Sequence, residues 1–204
     1  MKKILLTSAG LTENLFEFLL KKVGKEIHEI KILYVPTAAM YHDGGREGLA
    51  LSNFHLLRIG VLPKNIFNYH LGYLLSEGYE RTYSASITEI PPQLRLLTVD
   101  EMKEFDGLLV DGGDGLPLIT EMNRTGFSEI VKQAIETGLF YLGISAGSMV
   151  MTGSFSEGLN YLKNPILVHS ENGTPCGKVP EEGLIELTDE QAIWIDDDGA
   201  QIIK

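Results

Sequence analysis

At 204 residues, 44% hydrophobic and 22% charged, the chain has an ordinary globular balance and length enough for one domain with a sizeable core. A net charge of -11 repels phosphate backbones and anionic lipid, which argues against nucleic-acid and membrane-surface roles. Cys176 is the only cysteine, so no intrachain disulfide can form, and a reducing, cytoplasmic setting fits that usage.

Met1-Lys2-Lys3 leads into an apolar run, Ile4-Leu5-Leu6, that is too short for a signal peptide. Residues 3–7 therefore read as a buried first strand, and Ser8-Ala9-Gly10 as a turn. Leu15, Phe18, Leu19 and Val23 recur at helical spacing and predict a helix over 14–23. A second apolar strand over 30–35 stops at Pro36. A helix over 47–59 and a third strand over 65–69 follow. The stretch 71–97, with Pro91-Pro92, reads as an excursion or hairpin. Thr98 and Glu101 have the spacing of a capping box and mark a helix start.

A buried strand over 107–110 ends in Asp111-Gly112-Gly113-Asp114-Gly115. A helix over 125–137 closes on Gly138, and a strand over 139–142 runs into Gly143-Ile144-Ser145-Ala146-Gly147, after which 146–152 begins another helix. The tail is read as short strands at 166–168, 184–187, 192–195 and 201–203. Asp196-Asp197-Asp198-Gly199 has the composition of a hairpin turn, and its spacing is not that of a calcium-binding helix–loop–helix. No stretch approaches the roughly 20 apolar residues of a membrane span.

Strands alternating with helices predict a three-layer α/β domain over 1–204, with a mostly parallel sheet covered on both faces and a C-terminal hairpin. Ligands of such sheets sit at the carboxyl ends of the strands, where both glycine-rich turns fall. In a G-x-S-x-G elbow the serine sits on a sharp strand-to-helix turn, and small neighbours let the two elements approach closely. Ser145 is accordingly the expected nucleophile. Serine needs a base near neutral pH. Of five histidines, His28 and His55 fit surface or core positions, His42 lies in a polar loop and His70 follows a strand. His169 ends an apolar strand where its side chain could meet Ser145, and is the expected base. The amides of Ala146 and of the Gly112-Gly113 turn are expected oxyanion donors. His169 follows Ser145 too closely for an α/β-hydrolase, in which the acid and histidine arrive through further strand–helix units.

On these residues, together with Tyr34-Val35-Pro36-Thr37-Ala38 and the tail 186–192, the chain resembles the serine dipeptidases of the dipeptidase E (α-aspartyl dipeptidase) type and cyanophycinase. The resemblance implies a flavodoxin-like sheet related to class I glutamine amidotransferases, with Ser145 as nucleophile, His169 as base and acid, and Gly113 with Ala146 as oxyanion donors. It also implies an acidic third member between serine and histidine. Glu157 is the only acid in that interval, with Asn160 or an acid elsewhere as alternatives. Relatives preferring aspartyl peptides are expected to use an arginine beyond the histidine, and this chain has none after Arg124. The expected activity is hydrolysis of short peptides through an acyl-enzyme, with no cofactor and no metal. An esterase or amidase, or a binding protein that keeps the elbow, are the alternatives; a homodimer is left open.

Overall fold

The computed structural model describes residues 1–74 and 90–204, without the side chains of Arg46, Leu51 and His55. Most of the excursion expected over 71–97 lies outside the described residues. Its described ends are single 3-10 turns, Leu71–Tyr73 and Pro92–Leu94.

In chain order, β1 (Lys3–Thr7) and α1 (Glu13–Val23) are followed by β2 (Ile32–Val35), α2 (Thr37–Met40) and α3 (Gly45–Arg58). Next come β3 (Ile66–Asn68), α4 (Val99–Met102), β4 (Gly107–Val110), α5 (Gly115–Arg124), α6 (Phe127–Glu136), β5 (Phe140–Ile144) and α7 (Ala146–Met149). The tail supplies β6 (Ile166–Leu167), β7 (Gly177–Lys178), β8 (Ile185–Glu186), β9 (Ala192–Asp196) and β10 (Gly199–Ile203). The main sheet runs β3-β2-β4-β5-β1-β9-β10-β7. The first five of these strands are mutually parallel, and β9, β10 and β7 extend the sheet in antiparallel fashion.

Alternation along each strand makes three layers. Ile4 and Leu6 of β1 face Leu118, Met122, Phe127 and Val131 of α5 and α6, while Leu5 faces Leu15, Leu19 and Leu56 of α1 and α3. With both faces covered, the central strands read as nearly continuous apolar runs, which is why they were recognisable. The expected capping box also forms: Thr98 accepts from the Glu101 amide, and Glu101 accepts from the Thr98 amide. The Arg95 guanidinium forks onto Glu101 at 2.9 and 2.6 Å and holds that carboxyl down at about 2.

Two helices have no counterpart in the sequence reading. Helix α5 begins Gly115-Leu116-Pro117, residues that read as a loop. Asp114 caps it by accepting from the Leu116 amide at 3.0 Å, and proline in a first turn lacks only an N–H that would be unpaired there anyway. Helix α2 starts directly after Pro36 and is a single turn. The strand expected over 166–168 is shorter and pairs only with β8, in a separate two-stranded sheet. The expected hairpin joins β9 to β10, and its Asp196 carboxylate accepts from Asp198 N and Trp194 Nε1. No helix among the described residues is long and apolar enough to cross a membrane. The carboxyl ends of β4, β5 and β1 lie side by side, with Val110 opposite Gly143 and Thr7 opposite Ile144.

Candidate active site

Ser145 stands between β5 and α7 at φ 48 and ψ -107, a backbone conformation costly for any residue with a Cβ. Its neighbours explain why the pattern needs glycines. A Cβ on Gly143 would lie 2.6 Å from Gly147 O, and one on Gly147 would collide with the Val110 carbonyl of the adjacent strand. The end of β1 ties the elbow down. Thr7 Oγ1 donates to Gly143 O at 2.9 Å, and Thr7 O accepts from Ser145 N at 3.0 Å and from Ser148 Oγ at 2.7 Å.

His169 follows β6 and reaches Ser145 Oγ through Nε2 at 3.2 Å. Its Nδ1 lies 2.7 Å from Asp189 Oδ1. With the ring proton on Nδ1, His169 donates to Asp189 and presents Nε2 as acceptor to the serine hydroxyl. Asp189 occupies the turn between β8 and β9, where Gln191 N donates to Thr188 O and Thr188 N to Gln191 Oε1, both at 3.0 Å. The His169 and Asp189 side chains remain 51% and 60% exposed, so this carboxylate works against solvent screening.

Glu157, expected as the orienting acid, is not the carboxylate on His169. The loop after α7 folds back on the elbow helix: Leu159 N donates to Val150 O at 2.8 Å, and Thr152 bridges to Leu162. That return leaves Glu157 on the exposed side, where its backbone carbonyl accepts from Asn123. Asn160 spends its amide on Gly158 O. An acid that follows the histidine takes the place reserved for one preceding it. Two other histidine rings are engaged away from Ser145. His42 Nδ1 meets Asp43 O, and His70 stacks on Tyr73 with its pKa pushed down by burial.

The turn after β4 passes against the serine. A Cβ on Gly112 would sit 3.2 Å from Ser145 Cβ, and Gly113, at φ 135, packs onto the Ala38 backbone so closely that a Cβ there would collide. Asp114 N donates to Ala38 O at 3.1 Å and pins the turn to α2. From below, the buried Asp111 accepts from Gly112 N at 2.8 Å and from Tyr34 OH at 2.5 Å. Burial, and then the Asp111 charge, push the Tyr34 phenol far up, so it stays protonated and donates. Tyr34, Asp111, Ser8 and Asp189 were given no role from sequence, although Tyr34 in 34–38 and Asp189 in the tail 186–192 lie in stretches that carried part of the resemblance.

Residues 83–170, which include the elbow and His169, match Peptidase family S51. An uncharacterized peptidase from Pasteurella multocida is 33% identical over 67 residues, covering 33% of this chain. The match spans only 28% of that relative's own length. A crystal structure carrying the peptidase E name, from Listeria monocytogenes EGD-e, aligns with a TM-score of 0.66 at 17% identity, over 100% of this chain and 98% of its own. That of a peptidase from an acI-B1 Actinobacterium aligns at 0.63 and 19% identity, over 100% and 87%. At such identities these two structures speak for the fold. Over residues 83–170 the chain is similar to Peptidase family S51, and over its whole length it has the fold of the peptidase E structure.

Proposed function

We propose that this protein is a serine peptidase that hydrolyses short peptides through an acyl-enzyme. The observation that carries the reading is the unbroken chain from Ser145 Oγ to His169 Nε2 at 3.2 Å, and from His169 Nδ1 to Asp189 Oδ1 at 2.7 Å. His169 takes the serine proton as Ser145 attacks the peptide carbonyl, and returns it to the leaving amine. Asp189 holds the tautomer and stabilises the imidazolium. The amides of Gly113 and Ala146 hold the oxyanion; the Gly112 amide is already spent on Asp111. A water then enters by the same route and releases the acyl group. No step calls for a metal or cofactor. The unpaired, exposed Cys176 accords with a reducing cytoplasm.

The test is a fluorophosphonate probe, which labels only an activated serine. The expected result is stoichiometric modification at Ser145, with a parallel loss of dipeptide hydrolysis. A folded protein that resists the probe would sink the reading.

Specificity for aspartyl peptides is not expected. Arg95 is committed to Glu101, and Arg124 to Glu121 and the carbonyls of Leu71 and Leu74. Arg58 lines a cavity of about 150 Å³ between the loop after β1, α3 and the sheet, but Asp111 lines that cavity too, and neither Ser145 nor His169 does. Arg81 is outside the described residues, as is the Arg46 side chain. We therefore expect kcat/KM for an Asp-Xaa dipeptide within about tenfold of its Asn-Xaa counterpart, since a properly paired carboxylate should be worth that factor or more. A larger preference would reveal a cationic pocket.

A further inference from the structure

Both members of the His169–Asp189 pair hang on one buried oxygen. Ser8, the residue after β1, is fully buried. Its Oγ lies 2.7 Å from His169 N and 3.0 Å from Asp189 Oδ1. A backbone amide can only donate, so the Ser8 hydroxyl accepts from His169 and its single proton is directed at the Asp189 carboxylate. Asp189 Oδ1 thus receives two donors, the Ser8 hydroxyl and the His169 ring.

We propose, resting on the peptidase reading above, that Ser8 is a positioning residue that sets the geometry and charge of the His169–Asp189 pair. Three features favour this over a bond that merely stabilises the fold. First, the partners come from segments 161 and 181 residues distant in sequence, and both side chains are largely exposed, so little else holds them together. Second, His169 sits at φ 57, an unfavourable backbone for a residue with a Cβ, and its amide bond to Ser8 opposes reversion to an extended conformation. Third, Ser8 follows Thr7, whose groups bind Ser145 N, Gly143 O and Ser148 Oγ. Two consecutive residues of β1 and its end therefore set the nucleophile and the base–acid pair against each other.

The experiment measures the rate of fluorophosphonate labelling of Ser145 in the wild type, Ser8→Ala, Ser8→Thr, Asp189→Asn and the Ser8→Ala/Asp189→Asn double variant. A crystal structure of Ser8→Ala accompanies it. Ser8→Ala should label at least tenfold more slowly, and Ser8→Thr, which keeps the hydroxyl, should recover most of that loss. In the Asp189→Asn background the same Ser8→Ala change should cost less than about threefold, because groups acting as a unit are not additive. Wild-type labelling by Ser8→Ala, or an equal loss in both backgrounds, overturns the proposal. Should Ser8→Ala not fold, Ser8→Cys keeps the size with a weaker donor and takes its place in the cycle. The crystal structure separates the two readings. If the wild type does not label, the peptidase reading falls, yet Ser8 is still judged on geometry. Separation of His169 Nδ1 from Asp189 Oδ1 beyond 3.5 Å in Ser8→Ala supports its positioning role, and an unchanged pair overturns it.

Discussion

Ser145→Ala should leave a folded protein in which hydrolysis of short peptides falls by about 10⁴–10⁶-fold. Alanine keeps the Cβ, and with it the contact with the Gly112 turn, the strained φ and the amide bond to Thr7 O. What is lost is one hydroxyl in a half-buried position. The melting temperature should therefore move by no more than about 4 °C, the shift produced by roughly 1 kcal/mol in a chain of this size. Residual turnover above that range, in a preparation free of wild-type enzyme, would remove Ser145 from the mechanism. A large fall in melting temperature would instead show that the elbow depends on the hydroxyl for its structure.

Asp189→Asn should lower kcat by about 10²–10⁴-fold, while Glu157→Gln stays within about twofold of wild type. The asparagine can turn its NH₂ towards His169 Nδ1 and so favour the tautomer whose Nε2 carries the proton and cannot accept from the serine. A buried triad acid typically sits at the upper end of that range. Asp189 is 60% exposed, so solvent supplies part of its stabilisation and its loss should fall lower. Glu157 makes its described contact through a backbone carbonyl, which the substitution leaves in place. Matched steady-state kinetics on one dipeptide decide the matter. A loss for Glu157→Gln comparable to that for Asp189→Asn would mean that the loop after α7 rearranges to bring Glu157 onto His169 during turnover.

The parts of this protein legible in the chain are those governed by local periodicity and local sterics. The apolar runs of β1, β2, β4 and β5 are continuous because both faces of the sheet are covered, and Thr98 with Glu101 announces a helix start through contacts three residues apart. The elbow is legible for a similar reason. Gly143 and Gly147 are required by collisions with neighbouring backbone, and the pattern of small residues they make marks Ser145, which stands between them at φ 48, as the residue the turn displays. Helix α5 was missed because glycine and proline at 115 and 117 carry opposite meanings inside a helix and in its first turn, and only the Asp114 cap separates the two cases.

The rest of the site is a matter of tertiary structure. Ser145, His169 and Asp189 lie at the ends of β5, β6 and the β8–β9 turn, and their convergence depends on the return of β9 antiparallel to β1. Sequence separation carries no information about that pairing, since hydrogen bonds 161 and 181 residues apart are made only once the sheet has closed. Choosing the acid by its place between serine and histidine therefore selected Glu157, while the fold, by bending the loop after α7 back on itself and the tail onto β1, presents Asp189 instead. The chain by itself determined the α/β layers, the elbow and the histidine; which carboxylate meets that histidine, and that the Ser8 hydroxyl holds them both, was decided by packing, because exposed side chains acquire partners only from the elements that the core brings beside them.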